Sequence, residues 1–327
     1  MIDLHLHFDG SLPVETVWKQ AVKQGIVLPA SSIEELKDKM VCPVDCGSLN
    51  EYLEKFDIPL SVLQTKEGIR ECMEDVIAQL IAEGIIYAEI RFAPQLHLQK
   101  GLTQEEVVRA AISGMESATV GQNIKVQLIL CCMRGADNLE ANRETVEMTA
   151  KYLHQGVCAC DLAGAEALFK TDAFGELFAY AAHLGVPYTI HAGEADGPDS
   201  IKAALRFGTK RLGHGVRSGE DASLVMRLIE EEVTLECCPI SNVQTKAVAS
   251  IEAHPIKEFL YRGLRVTINT DNRTISQTTI AKEIQFLRDN LGLTVEEERQ
   301  LYLNAAESAF LTPKEREGLK HVITKII

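Results

Sequence analysis

At 327 residues, with 46% hydrophobic and 24% charged residues, 10 prolines and no low-complexity stretch, the chain has the composition of a globular protein able to bury a large core. Its 33 Lys and Arg stand against 47 Asp and Glu, a formal charge of −14, and the resulting field repels phosphate backbones and anionic lipid, so neither nucleic acid nor a membrane surface is expected as a partner. No apolar run approaches the roughly 18 residues of a membrane span, a first strand at residue 2 or 3 leaves no room for a signal peptide, and nine cysteines without a Cys-x-x-Cys pair read as reduced, mostly buried thiols, which together point to the cytoplasm.

The first apolar run, 2–8, holds His5 and His7, whose spacing places both rings on one face of a strand, within reach of one ion. Further short apolar runs recur at 85–92, 126–131, 157–161, 187–191, 211–214, 234–237 and 265–269, separated by segments of helical period. Alternating strands and helices imply parallel pairing with right-handed crossovers, and eight such units predict an α/β fold, a (β/α)8 TIM barrel, as one domain over 1–327.

The connection after the first strand, 11–84, is too long for one helix and is expected as a helical insertion. Within it Leu49, Tyr52, Leu53 and Phe56 form an apolar helical stripe. Because the insertion leaves the C-terminal end of a strand, where barrel active sites lie, the stripe reads either as a lid or as a helix packed on the barrel. At the other end of the chain, Ile280, Ile284, Leu287 and Leu291 make a helical stripe stopped near Gly292, and Thr312-Pro313-Lys314-Glu315 reads as a capping box.

Polar residues cluster at the strand ends. His5 and His7 open the chain, the fifth strand ends in His191-Ala192-Gly193-Glu194, the sixth in Gly213-His214-Gly215, and the eighth in Thr270-Asp271-Asn272. Singly, each fits a backbone-capping role. Jointly, they are brought together by a barrel, which converges its strand ends on one pocket. Histidines with one carboxylate suit a borderline divalent cation, zinc by default, with iron, cobalt or manganese also compatible. Such an ion can lower the pKa of water from about 15.7 towards 7, which is hydrolytic chemistry. The fourth strand contains no lysine to bridge two ions, so one ion is expected, with Asp161 read as a structural partner for the Gly164 turn in preference to a second-metal ligand.

The ordered set His5-Leu6-His7-Phe8-Asp9-Gly10-Ser11-Leu12, Asp161-Leu162-Ala163-Gly164, His191-Ala192-Gly193-Glu194, Leu212-Gly213-His214-Gly215 and Asn269-Thr270-Asp271 resembles the adenosine deaminase family of metal-dependent barrel hydrolases over nearly the whole chain. The resemblance implies His5, His7, His191 and Asp271 as ligands of one divalent metal, Zn2+. It implies catalytic roles for Glu194 as proton donor to purine N1 and for His214 and Asp271 beside the attacking water. It implies that the Gly164 N–H meets N3, that Asp9 meets the ribose 5′-hydroxyl, and that Leu49, Leu53 and Phe56 belong to an apolar gate. The implied reaction is hydrolytic deamination of adenosine, and of 2′-deoxyadenosine, to inosine and ammonia in purine salvage.

Asp9 stands where deaminases of adenine and aminofutalosine tend to carry Glu, which favours a nucleoside with free ribose. The chain departs from the family at Asn272, where many members have a second Asp facing N7. N7 accepts, and an amide NH2 donates at any ordinary pH, so Asn272 is expected to keep that contact. The alternatives are a sibling deaminase acting on adenine, aminofutalosine or a modified adenine nucleoside or nucleotide; a barrel metallonuclease or phosphoesterase, disfavoured by the net acidity; and a non-catalytic nucleoside binder, disfavoured because the ligands, Glu194 and His214 are all present. A monomer and a homo-oligomer are both compatible with the pattern.

Overall fold

The computed structural model describes residues 1–43 and 46–326. The expected insertion at 11–84 therefore contains two residues, 44 and 45, that lie outside the described residues, as does residue 327 at the end of the expected domain.

Eight parallel strands are present: β1 (Ile2–His7), β2 (Tyr87–Phe92), β3 (Lys125–Met133), β4 (Val157–Ala163), β5 (Ile190–Ala192), β6 (Arg211–His214), β7 (Thr234–Cys237) and β8 (Arg265–Ile268). They form two four-stranded sheets in sequence order, β1 to β4 and β5 to β8. Backbone bonds cross both seams. Thr189 N–H donates to the Cys160 carbonyl at 3.0 Å, and Asp271 N–H and His7 N–H exchange bonds with the His5 and Asp271 carbonyls at 2.7 Å. The strands thus follow one another round a (β/α)8 barrel, as the alternation predicts. Every residue of β2 and β4 is buried, because helices cover the outside while side chains fill the inside. One apolar cluster runs from Ile2 in β1 to Ile323 in the last helix, Pro313–Ile326.

The filling of the barrel is not the expected layer of branched aliphatics. Glu89, Arg91, Arg211 and Glu236 all point inward and are buried. Glu236 takes Arg211 Nε and Arg91 NH2 at 2.7 Å, and Arg211 NH1 reaches Glu89 at 2.7 Å. Burial alone would raise the Glu236 carboxyl, but the two guanidinium groups hold it well below the usual range.

The insertion holds helices Val14–Gln24, Ile33–Met40, Leu49–Leu53, Asp57–Val62 and Lys66–Ala82, with a 3-10 turn, Glu54–Phe56, where the sequence pattern predicts continuous helix to Phe56. Ser48 caps this segment, its hydroxyl accepting from the Glu51 N–H. The C-terminal signals behave as read: Gly292 takes a left-handed φ of 63° after Ile280–Leu291, and Thr312 and Glu315 bond reciprocally. All nine cysteines are buried and unbridged. Among the described residues no helix is long and apolar enough to cross a membrane.

Candidate active site

At the C-terminal end of the barrel lies a cavity of about 240 Å³. Twelve of the residues singled out from the sequence line it: His7, Asp9, Leu49, Tyr52, Leu53, Phe56, Gly164, His191, Glu194, His214, Asp271 and Asn272. His5 sits below them, fully buried.

The strand termini deliver these groups by local backbone chemistry. Gly213 precedes the last residue of β6, and an added Cβ there would fall 3.0 Å from the His5 ring and 3.1 Å from His191, so only glycine leaves room for the packed imidazoles. His214 and Asp271 adopt left-handed φ values of 60° and 58°. Non-glycine residues held there cost about 1 to 3 kcal/mol each, strain that the surrounding bonds must offset. Gly193, at φ 76°, makes the turn that lifts Glu194 over the cavity.

His5, His191, His214 and Asp271 each offer one donor atom, all within 4.8 Å of one another. His7 joins them, its Nε2 lying 3.3 Å from both His191 Nε2 and Asp271 Oδ1. His5 Nε2 is 3.4 Å from Asp271 Oδ1 and has no hydrogen-bond partner. For bonds of about 2.0 to 2.1 Å, a tetrahedral edge is about 3.3 to 3.4 Å, so these spacings fit one small cation. Two imidazole nitrogens facing each other also need a proton or a cation between them. Burial lowers the pKa of His7 and His191, keeping the rings neutral with lone pairs to offer. The residues present therefore fit a single divalent ion held by His5, His7, His191 and Asp271.

Carboxylates stand behind two of these rings. Glu236 Oε2 lies 2.8 Å from His5 Nδ1, and Asp161 Oδ2 lies 2.8 Å from His191 Nδ1, the second contact being poorly aligned for a hydrogen bond. Each places the ring proton on Nδ1 and leaves Nε2 free. Asp161 is thus not the partner of the Gly164 turn that its position suggests. Its Oδ2 also takes Arg91 NH1 at 3.0 Å, and its Oδ1 accepts the Leu162 N–H at 2.7 Å, which leaves it committed to the barrel interior.

Across the cavity Glu194 is 5% exposed, and burial, reinforced by the charges of Asp271 and Glu166, pushes its pKa well above the ordinary value. That direction favours its carboxylic acid form, able to donate, and His214 Nε2 lies 3.5 Å from its Oε2.

The sequence profile of the family described as adenosine deaminase matches residues 1–326. The chain belongs to the adenosine deaminase family. An adenosine deaminase of Haemophilus ducreyi is 47% identical over 323 residues, covering 98% of this chain and 94% of the relative. One from Clostridium botulinum strain Okra is 40% identical over 326 residues, covering 99% and 97%. A crystal structure of an adenine deaminase from Arthrobacter aurescens superposes with a TM-score of 0.90 at 28% identity, covering 99% of this chain and 98% of that one.

For this member of the adenosine deaminase family, sequence reasoning missed several residues that shape the site. Asp57, Leu60, Leu96, Cys131, Met133 and Arg134 also line the cavity. Glu166 is the most consequential. Its buried carboxylate accepts the backbone N–H groups of Gly193, Glu194, Ala195 and Asp196 at 2.6, 3.0, 2.7 and 3.1 Å, and the Ser200 hydroxyl as well. It therefore ties the loop after β4, with Gly164, to the turn that carries Glu194. An acidic residue two positions beyond a glycine at a strand end is a visible signal, but its partners lie 27 to 34 residues further on.

Proposed function

We propose that this chain catalyses hydrolytic deamination of adenosine, and of 2′-deoxyadenosine, to inosine and ammonia, with one divalent ion, zinc, as cofactor. The observation that carries the reading is the pairing, across one cavity, of an uncharged buried acid, Glu194, with a ligand cluster of His5, His7, His191 and Asp271. The reading is supported by the 47% identity to an adenosine deaminase over nearly the full length. In this reading residues 1–327 form one hydrolase domain and 11–84 supply its lid, with Leu49, Leu53 and Phe56 set against the cavity. The nine unbridged thiols support a reducing compartment, the cytoplasm.

The bound ion would supply Lewis-acid activation of a water molecule. The protein's own residues do the rest. Glu194 protonates purine N1, which removes the aromatic resistance to addition at C6. His214 and Asp271 stand on the ligand side of the ring, where His214 orients the water and stabilises its developing charge and Asp271 takes up its proton. The Gly164 N–H meets N3, Asp9 meets the ribose hydroxyl, and Asn272 meets N7. Gly10 makes room for that last contact, since a Cβ there would fall 2.0 Å from Asn272 Oδ1.

The test is loss of the adenine absorbance band on mixing the purified enzyme with adenosine, repeated with adenine and with Glu194→Gln. Rapid turnover of adenosine, little of adenine, and a fall in kcat of about 10² to 10⁴ in the variant are expected. Because the protonated acid is the active form and its pKa is raised, kcat/KM should be full at lower pH and fall as pH rises through that value. Faster turnover of adenine than of adenosine would overturn the substrate assignment.

A further inference from the structure

His214 falls inside the donor cluster, yet the groups behind it differ in kind from those behind His5 and His191. Its Nδ1 lies 2.9 Å from Asn242 Nδ2. Asn242 is fully buried in the short helix Pro239–Gln244 after β7, a connection that places no residue of its own in the cavity among those assigned above.

The orientation of the Asn242 amide follows from two independent neighbours. The backbone N–H of Cys238, 3.2 Å away, can only donate, so the amide atom facing it must be the oxygen. His254 gives the same answer. The Ile256 N–H donates to His254 Nδ1 at 3.2 Å, so the neutral ring carries its proton on Nε2, which points at Asn242 Oδ1 at 3.1 Å. With the oxygen fixed by two donors, the Asn242 NH2 faces His214 Nδ1, and that nitrogen must present a lone pair. The ring proton then lies on Nε2, on the side of Glu194.

We propose that Asn242, held by His254 and the Cys238 backbone, is a positioning residue that sets the tautomer of His214 and makes that ring a hydrogen-bond donor at the reaction centre. An imidazole with its proton on Nε2 cannot ligate an ion through that atom. His5 and His191, with carboxylates at Nδ1, can. One helix prepares both partners on this side of the cavity, because the neighbouring Ser241 hydroxyl donates to Asp271 Oδ2 at 2.6 Å. The catalytic consequence rests on the deaminase reading above; the tautomer does not.

The test is nitrogen NMR of the metal-loaded enzyme labelled with ¹⁵N in the imidazole rings, with His214→Gln identifying the His214 signals. A bare Nδ1 and protonated Nε2 are expected at His214, with the reverse placement, a protonated Nδ1, at His5 and His191. A protonated Nδ1 at His214 would overturn the proposal. Asn242→Asp keeps an acceptor for Cys238 and His254 but replaces the donor with a second acceptor, so a proton should appear on His214 Nδ1. An Nδ1 that stays bare in this variant would overturn the role of Asn242. The variant should lose kcat by about 10²-fold, the cost of one misplaced donor at a developing oxyanion, with KM little changed. A switched tautomer with unchanged kcat would uphold the proton placement and instead remove His214 from the proposed mechanism.

Discussion

Two polar regions meet at His5 and His191, equally buried and opposite in character. Beneath the rings, three interior carboxylates are matched to cations: Glu236 takes both Arg91 and Arg211, Asp161 takes Arg91, and Glu89 takes Arg211. Above them, His5 Nε2 is buried with no partner, and burial outweighs the distant charge of Arg134 to push Glu194 towards its acid form, with no Lys or Arg in ion-pair contact among the described residues. Buried polar groups are normally satisfied, so the lower set holds the fold and the upper set marks where chemistry and ligand must supply what is missing. The difference also explains how one family of side chains serves two purposes in a single barrel.

Breaking the lower region should have the largest effect. Glu236→Ala removes the carboxylate that Arg91 and Arg211 share, leaving Arg91 only Asp161 and Arg211 only Glu89 as partners in the interior, and a loss of about 3 to 5 kcal/mol of stability is expected in denaturant titrations. An unchanged midpoint would show that the interior pairs are not what holds this barrel. An intermediate effect is expected where the two regions join. Glu166→Gln removes one of the acceptor oxygens serving the Gly193 to Asp196 amides, and the resulting shift of Glu194 should lower kcat by about ten- to a hundredfold. Hydrogen exchange at those four amides should quicken in parallel. The smallest effect belongs to the upper region. If Asn272 donates to N7, adenosine should exceed its 7-deaza analogue in kcat/KM by about 0.5 to 1.5 kcal/mol. Equal values for the two substrates would mean that the Asn272 amide is not matched to the purine.

How far the site could be read in advance depended on where its information lay along the chain. The His5–His7 spacing, the His191 to Glu194 turn and the terminal Asp271 are local patterns, and the barrel brings strand ends together whatever the detail of packing. The apolar stripe was legible for the same reason, since the spacing of Leu49, Leu53 and Phe56 is local, and all three line the cavity although a 3-10 turn replaces helix at Glu54–Phe56. The backing groups were not. Glu236 meets His5 across 231 residues, and Asn242 meets His214 across 28, with nothing in either neighbourhood to distinguish them from surface polar residues. Asp161 shows the limit most clearly. Its place beside the Gly164 turn suggests a local cap, whereas in the fold its side chain reaches across the barrel to Arg91 and His191.

By itself, then, the sequence determined the alternation of strand and helix, the set of histidine and acidic side chains that could hold an ion, and the end of the barrel at which they gather, because hydrophobic period and strand-end position act over a few residues. Tertiary structure alone decided which nitrogen of each histidine carries the proton, and whether a buried charge is balanced or left to react. A tautomer and a pKa are set by the atoms within about 3 Å of a group, and in this chain those atoms arrive from distant strands.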